Sequence, residues 1–352
     1  MTKKNSPAKP KVSIHDVARE AGVALSTVSN ALAGKEIVKE STRVRIQEIA
    51  DRMGYRVSVV ARALRMQRTF TLGVLLADVS NPSSPDFLRG VEDVADRESC
   101  SLLVCNTDGV LEKQITQMKV LLDRRVDGLV LLSQYSEPPL VRELLDSGTP
   151  FVFLQRRSRK HQDDYVGADN NEGISAAVEH LVKLGHTRIG LIRGPSESST
   201  ADERMVAFQQ SVERLHIDDD PSLIVQGNYH VEGGYRAAKE FFALRNPPTA
   251  ILAANDMSAI GVMNAAHEAR IAIPEQLSII GLDDIELASY APINLTTIAL
   301  QRREMGAAAA TLLMDRIKNN RKKAKQVLFP MRLVVRGSTG PALKKRTRVK
   351  AG

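Results

Sequence analysis

Two patterns of hydrophobic spacing divide this chain near residue 69. In the first part, Ile14, Val17, Ala18 and Ala21 recur at helical intervals behind Ser13 and Asp16, a capping-box pair, and Gly22-Val23 breaks the run. A second helix is predicted from about Leu25 to Leu32, with Val28, Ala31 and Leu32 inward and Leu25, Ser26, Ser29 and Asn30 outward. A third runs from about Ser41 to Met53, with Ile46, Ile49, Ala50 and Met53 on one face, and ends at Gly54. Helix, glycine-containing turn and short second helix make a helix-turn-helix arrangement.

After Phe70 the pattern changes to short continuous apolar runs alternating with amphipathic stretches. Strands are predicted over residues 71–76, 102–105, 128–132 and 150–154, with helices near 86–97, 112–125 and 138–147. A second series has strands at 188–192, 223–226, 250–253, 277–281 and 295–298, with helices near 172–184, 203–215, 232–243, 258–269 and 301–318. Continuously apolar strands alternating with helices imply parallel sheets covered on both faces. Two series imply two doubly wound α/β lobes, with a ligand cleft between them at the C-terminal strand ends.

Charge sharpens this division. Residues 1 to 68 hold 14 Lys and Arg against 6 Asp and Glu, whereas the remaining 284 residues hold 35 of each. The whole basic excess lies in the helical part, an electrostatic footprint for phosphate. Short polar side chains on the outward face of the second helix can approach base edges in a major groove, while Arg19, Arg43, Arg45, Arg52 and Arg56 can contact phosphates. Cys100 and Cys105, if on one strand, would lie roughly 16 Å apart, too far for a disulfide, and are expected to be reduced. With no apolar signal segment and no run approaching a membrane span, a cytoplasmic, nucleoid-associated protein is expected. None of the dinucleotide, P-loop, nucleophile-elbow or zinc-protease motifs occurs and the histidines are scattered, so neither catalysis nor a cofactor or metal is expected.

The segment IHDVAREAGVALSTVSNALAGKEIVKESTRVRIQEIADRMGYRVSVVARALR resembles the LacI/GalR family of bacterial transcription regulators, a match running from Val12 to Arg68 without a gap. The resemblance implies operator reading by Leu25, Ser26 and Asn30, with Thr27 beside them. It also implies a hinge helix over residues 58–68, with Ala61, Arg62 and the minor-groove wedge Leu64. The domains follow as a disordered basic tail over 1–12, the DNA-binding domain over 13–57, the hinge over 58–68, an effector-binding and dimerisation body over 69–336, and a basic C-terminal tail over 337–352. Two positions depart from the family pattern. Ala24 replaces the serine that usually caps the recognition helix, a loss of about 1 kcal/mol, and Asn30 replaces a common arginine.

The second part is similar to the family's periplasmic-binding-protein-like effector domain through LLADVSNPSSPDFLRGVED, RRVDGLVLL, VGADNNEGISAAVEHLVKLGHTRIGLIRGP, ERMVAF, AANDMSAIGVMNAA, SIIGLDDIE and LTTI. The resemblance implies effector contacts at Arg204, Asn255 and Asp283, with Ser84, Gln155 and Thr200 as weaker candidates. Asp256, Asp284 and the pair Asp169-Asn170 are as readily caps or loop closures. The family's bulky residues after Asn81-Pro82 are Ser83 and Ser84 here, and with 4% aromatics ring stacking on a sugar is less available. Its usual aspartate is Gln155, followed by Arg156 and Arg157, and Arg193 precedes the Gly-Pro pair. An acid lost and arginines gained favour an anionic effector such as a sugar acid or sugar phosphate. The implied protein is a homodimeric regulator, a repressor, on a pseudopalindromic operator. The rivals are control by a protein partner and a ligand-binding protein without a regulatory role on DNA.

Asparagine favours bidentate contact with adenine and arginine with guanine. Replacing Asn30 by Arg should therefore shift the preferred base at one operator position, by roughly tenfold or more. Selection from random DNA reads this, and an unchanged preference removes Asn30 from the reading face.

Overall fold

The structure, a computed structural model, describes residues 12–55, 66, 68–133 and 135–343. It comprises two compact units divided at Thr69 and Phe70. The expected tail over 1–12 lies outside the described residues except for Val12. The expected hinge lies outside them at Ala61, Arg62 and Leu64.

In the first unit α1 spans Ile14–Ala21, α2 Leu25–Leu32 and α3 Glu40–Arg52. The Ser13 hydroxyl accepts from the Asp16 backbone and the Asp16 carboxylate returns the bond, while Gly22 closes α1 at a φ of 63°, a left-handed conformation that suits a residue without Cβ. At α2 the N-cap is Ala24, with no side-chain cap, as its sequence requires. Val17, Val28, Ala31, Ile46 and Ala50 from all three helices form one buried core. Each fully buried valine or isoleucine contributes roughly 1.5–3 kcal/mol.

The second unit contains two six-stranded sheets. The first uses β1 (Thr71–Leu76), β2 (Ser101–Asn106), β3 (Gly128–Leu132), β4 (Phe151–Leu154), β5 (Tyr165–Ala168) and β11 (Gln326–Phe329), in the order β11-β5-β4-β3-β1-β2, with every pairing parallel. The second uses β6 (Ile189–Arg193), β7 (Ile224–Gln226), β8 (Ala250–Leu252), β9 (Ser278–Asp283), β10 (Thr296–Ala299) and β12 (Arg332–Val334), in the order β12-β10-β9-β8-β6-β7. Its pairings are parallel except for β12, which lies antiparallel to β10. The helices are α4 (Ser84–Arg97), α5 (Leu111–Asp123), α6 (Pro139–Leu145), α7 (Asn170–Lys183), α8 (Ser199–Arg214), α9 (Val231–Ala243), α10 (Asp256–Glu268) and α11 (Arg302–Asn319). The chain crosses between sheets after β5, after β10 and after β11.

Three expectations change here. Strands β5, β11 and β12 are absent from the predicted series, because each has only three or four residues and the last two carry exposed positions that break the apolar run. The helix predicted over 301–318 belongs to the first lobe, not the second: α11 packs on α4 and on β3, β4 and β5. Its close approach to α4 depends on Gly90 and Gly306, since a Cβ at either would collide with the backbone of the opposite helix. Arg303 adds two bonds to the Asp93 carboxylate, at 2.7 and 2.9 Å.

The third concerns the tail expected over 337–352, whose first part is built into the second lobe. The Ser338 hydroxyl donates to the Ile279 carbonyl at 2.7 Å and accepts from the Thr296 amide at 2.8 Å. The Ala342 amide donates to Leu184 at 2.8 Å. Buried His186 clamps this segment, with Nε2 3.0 Å from the Gly340 carbonyl and Nδ1 2.9 Å from the Thr249 hydroxyl. A carbonyl only accepts, so the neutral ring carries its proton on Nε2 and accepts at Nδ1. Two small polar residues and two glycines, Gly337 to Gly340, disguise this segment as tail in the sequence.

Burial holds the His186 pKa below the ordinary histidine value, and its folded form therefore resists protonation. Its contribution to stability is present above pH 6.5 and is lost as pH falls through the depressed folded value. His186→Ala should cost about 1–3 kcal/mol at pH 8, and the difference in melting temperature from wild type should shrink on acidification. A difference constant from pH 8 to pH 5 would contradict the clamp.

Candidate effector cleft and nucleic-acid interface

On the first unit, α2 presents its predicted face outward. Leu25 and Ser26 are exposed, and Thr27 and Asn30 are half-buried. The side chains of Ser26, Thr27 and Asn30 make no hydrogen bond among the described residues, which leaves their polar atoms available to base edges. Not all the expected phosphate ligands are equally free. Arg45 Nη2 donates to the Ala21 carbonyl at 3.1 Å and Arg52 pairs with Glu20 at 2.7 Å, so both brace α3 against α1. Arg19 and Arg43 form loose pairs with Asp16 and Glu40, each at 3.5 Å, an exposed contact type of little energetic weight. Arg56 lies outside the described residues.

On the second unit, a cavity of about 310 Å³ lies where strands of both sheets end. Its wall takes Ser84 after β1, Gln155 after β4, Thr200 on α8, Asn255 after β8 and Asp283 at the end of β9, together with Arg204. Six of the seven candidate residues thus meet in one place. Arg193 does not line this cavity. It pairs with Asp202 at 2.9 Å, because an arginine at the end of β6 lies beside the first turn of α8 and its acid. Arg157 is likewise diverted, to Glu203 at 2.8 Å.

The arginine that does reach the cavity is Arg156. Its Nε donates to the Ser198 hydroxyl at 3.2 Å and its Nη1 to the Leu132 carbonyl at 3.3 Å, with the guanidinium 5.8 Å from the Tyr229 ring centre. Arg204, 7% exposed, donates to Asn170 Oδ1 at 2.9 Å and to the Ala254 carbonyl at 3.1 Å. Neither guanidinium has a carboxylate partner among the described residues. Burial, and secondarily the Arg204 charge, pull the Arg156 pKa below the usual guanidinium value, against an opposing effect of Tyr229.

Asp283 is the counterpart. It too is 7% exposed, and its carboxylate makes no hydrogen bond or ion pair with the protein among the described residues. Burial, reinforced by the Asp256 charge and opposed by Arg204, Arg302 and Arg156, pushes its pKa up to about 7. The backbone here is strained, with φ of 122° at Asp283 and 57° at Asp284, positions that cost roughly 1–3 kcal/mol each. Arg302 holds the Asp283 carbonyl, and Arg336 holds the Asp284 carboxylate at 2.6 Å. A buried, unpartnered acid on a strained turn is set to meet something that enters the cavity.

The other candidates have less spare capacity. Asn255 Oδ1 caps α10 by accepting from Ser258 at 2.9 Å, and its Nδ2 donates to Tyr229 at 2.9 Å, leaving one N–H free. Thr200 donates to the Gln155 carbonyl at 2.8 Å and Ser84 to that of Asp78 at 2.8 Å, so each hydroxyl keeps only acceptor capacity. The Gln155 side-chain amide makes no hydrogen bond to the protein among the described residues, while its backbone amide donates to the Val166 carbonyl at 2.8 Å. Asp256 is neither cap nor cavity residue. It is the first residue of α10, tied to the Thr297 hydroxyl and, at 2.9 Å, to the Ile285 amide. Asp169 caps α7 through Glu172. Tyr229 and Phe87 also line the cavity, so aromatic contact is available despite the low aromatic content. Tyr229 follows β7, and its place at a C-terminal strand end was the signal that could have flagged it.

Residues 13–58 match the profile of bacterial regulatory proteins, lacI family, and residues 178–339 that of a periplasmic binding protein-like domain. The HTH-type transcriptional repressor PurR of Photobacterium profundum is 32% identical over 326 residues, 92% of this chain and 98% of that protein. The chain belongs to the lacI family. Among solved structures, a lac repressor dimer bound to operator and the anti-inducer ONPF is similar with a TM-score of 0.84, at 26% identity over 94% of this chain and 99% of that one. A LacI family regulator from Enterococcus faecium with bound ribose gives a TM-score of 0.69 at 31% identity, over 78% of this chain and all of that one. As a lacI-family member the chain is a DNA-binding transcriptional regulator of the repressor type, with a ligand-binding effector domain. No described helix is long and apolar enough to cross a membrane.

Because the folded pKa of Asp283 is raised, its contribution to stability is fully present below about pH 4 and is lost as pH rises through about 7. Asp283→Asn removes this dependence. The ligand-free variant should equal or exceed wild type in unfolding free energy at pH 8, by on the order of a few kcal/mol at most, and the gain should shrink steadily as pH falls from about 7 to about 5 and vanish near pH 4. A variant destabilised equally at both pH values would contradict an unpartnered acid.

Proposed function

We propose that this regulator binds a pseudopalindromic operator as a homodimer and that its affinity is set by an anionic, polyhydroxylated metabolite held between the two lobes. A sugar acid or sugar phosphate has the required chemistry. The observation that carries this reading is the pair of partly and deeply buried guanidiniums, Arg156 and Arg204, without carboxylate partners among the described residues, facing one cavity with the unpaired Asp283. An anionic group would offset the two buried positive charges by charge-assisted hydrogen bonds. Asp283, ionised, would accept from hydroxyls, and the free N–H of Asn255 would donate to one. Tyr229 offers an apolar ring face beside Arg156.

On the DNA side, Leu25, Ser26, Thr27 and Asn30 are the proposed base readers. The lac repressor dimer on its operator supports the two-fold assembly by similarity. Occupation of the cleft must favour one lobe arrangement over another to change operator affinity. A cytoplasmic location follows from this role.

The test uses the purified full chain and four probes: D-glucose, D-ribose, D-gluconate and D-ribose 5-phosphate. The charged probes should raise the melting temperature by several degrees, since a hundredfold excess over Kd stabilises by roughly 2.7 kcal/mol. Arg156→Met should abolish that rise. Protection by the neutral sugars alone would overturn the anionic reading. Selection of bound sequences from random DNA, with and without the protecting probe, then reports the operator and the sign of the response.

A further inference from the structure

Glu203 and Arg204 are neighbours on α8 that serve opposite sides of the effector body. Arg204 lines the cleft, whereas Glu203 lines a separate groove together with Arg157, Asn170 and Gln326. Asn170, 4% exposed, stands at the first crossing between the lobes and touches both neighbours. Its Oδ1 accepts from Arg204 Nε at 2.9 Å and its Nδ2 donates to Glu203 Oε2 at 2.8 Å. The other Glu203 oxygen accepts from Arg157 Nε at 2.8 Å.

The direction of every bond in this chain is fixed by chemistry. Guanidiniums only donate, a carboxylate only accepts, and an amide offers one acceptor and one donor group. The Glu203 carboxylate therefore turns the Asn170 amino group toward itself and the Asn170 oxygen toward Arg204. Flipping that amide would set donor against donor at Arg204 and acceptor against acceptor at Glu203, an arrangement a buried site does not tolerate. At the far end Arg157 is rooted in the first lobe. Its guanidinium lies 5.2 Å from the Tyr165 ring centre and reaches Gln326 at 3.4 Å. Its backbone amide donates to the Ser199 hydroxyl of the second lobe at 2.9 Å.

We infer that Glu203 and Arg157 are positioning residues, forming with Asn170 a hydrogen-bonded relay that fixes Arg204 in the cleft and links its orientation to the disposition of the two lobes. This rests on the reading of the cleft as the ligand site. The relay works through geometry more than stability, because a half-exposed pair such as Arg157 and Glu203 adds little to folding free energy. A movement of Arg204 toward an entering anion pulls on Asn170 and Glu203. The first lobe receives that pull at Arg157.

The test is made on the ligand-free full chain labelled with 15N-arginine. Solvent exchange is measured at the Arg204 Nε–H, whose signal is assigned by its loss in Arg204→Lys. Glu203→Gln keeps shape but leaves one acceptor for two donors. It should accelerate that exchange on the order of tenfold, and Asn170→Ala should do the same. Arg157→Met leaves every group touching Arg204 in place, and acceleration by about threefold or more at Arg204 is expected if the relay crosses the lobes. Melting temperatures of E203Q and R157M should stay close to wild type. Exchange at Arg204 within about twofold of wild type in both variants overturns the relay. Should E203Q fail to fold, R157M alone decides by the same threshold. These measurements use no ligand, so a failure of the cleft reading shows separately, as absence of any melting shift with D-gluconate or D-ribose 5-phosphate.

Discussion

Everything that distinguishes the effector body follows from one constraint: its parallel strands all direct their C-terminal ends toward the same cleft. Parallel strands need crossover helices, which cover both faces of each sheet and leave the strand ends as the place where chain can diverge without disturbing the core. Three passages between the sheets fix the two lobes against one another while leaving only short connections to bend. Residues as distant in sequence as Ser84 and Asp283 thereby come to line one cavity.

The cleft is also where the protein tolerates arrangements that a core rejects. Two guanidiniums without carboxylate partners among the described residues, an acid whose pKa is pushed to about 7 and two successive residues at positive φ stand within it. Each is unfavourable alone. They persist because the surroundings over-determine them: Arg302 and Arg336 hold the strained turn, Ser198 and the Leu132 carbonyl hold Arg156, and Asn170 holds Arg204. Several of the same side-chain types outside the cavity are ion-paired, as with Arg193 and Asp202 or Asp164 with Arg316 and Arg321. The contrast separates residues set toward a ligand from residues that brace the frame.

Much of this was legible in sequence where a pattern is local. The three helices of the first unit and strands such as β1 and β3 follow from spacing of apolar residues and from caps, and Ala24 marked an uncapped helix. Elements escaped where the pattern is short or depends on a distant partner. Strands β5, β11 and β12 have too few residues to show a period, and the segment around Ser338 is polar because its hydrogen bonds, not apolar burial, attach it. The fate of the arginines was the least legible. Arg156 and Arg157 are adjacent, yet one lines the cavity and the other pairs with Glu203.

The sequence by itself determined the division into a basic helical reader and a balanced α/β body, the exposed face of α2, and six residues that share the cleft. The first two depend on periodicity and local charge, properties of short stretches of chain, and the six cleft residues are what the resemblance of the motifs to the family implies. Only the tertiary structure decided which lobe receives α11, where the segment after Arg336 is anchored, which arginine faces the cavity and which acid is left unpaired. Those outcomes are set by side chains that meet across the three crossings, and just beyond the end of β4, where Gln155 has a φ of 70°, the adjacent Arg156 and Arg157 go to the cavity and to Glu203 respectively.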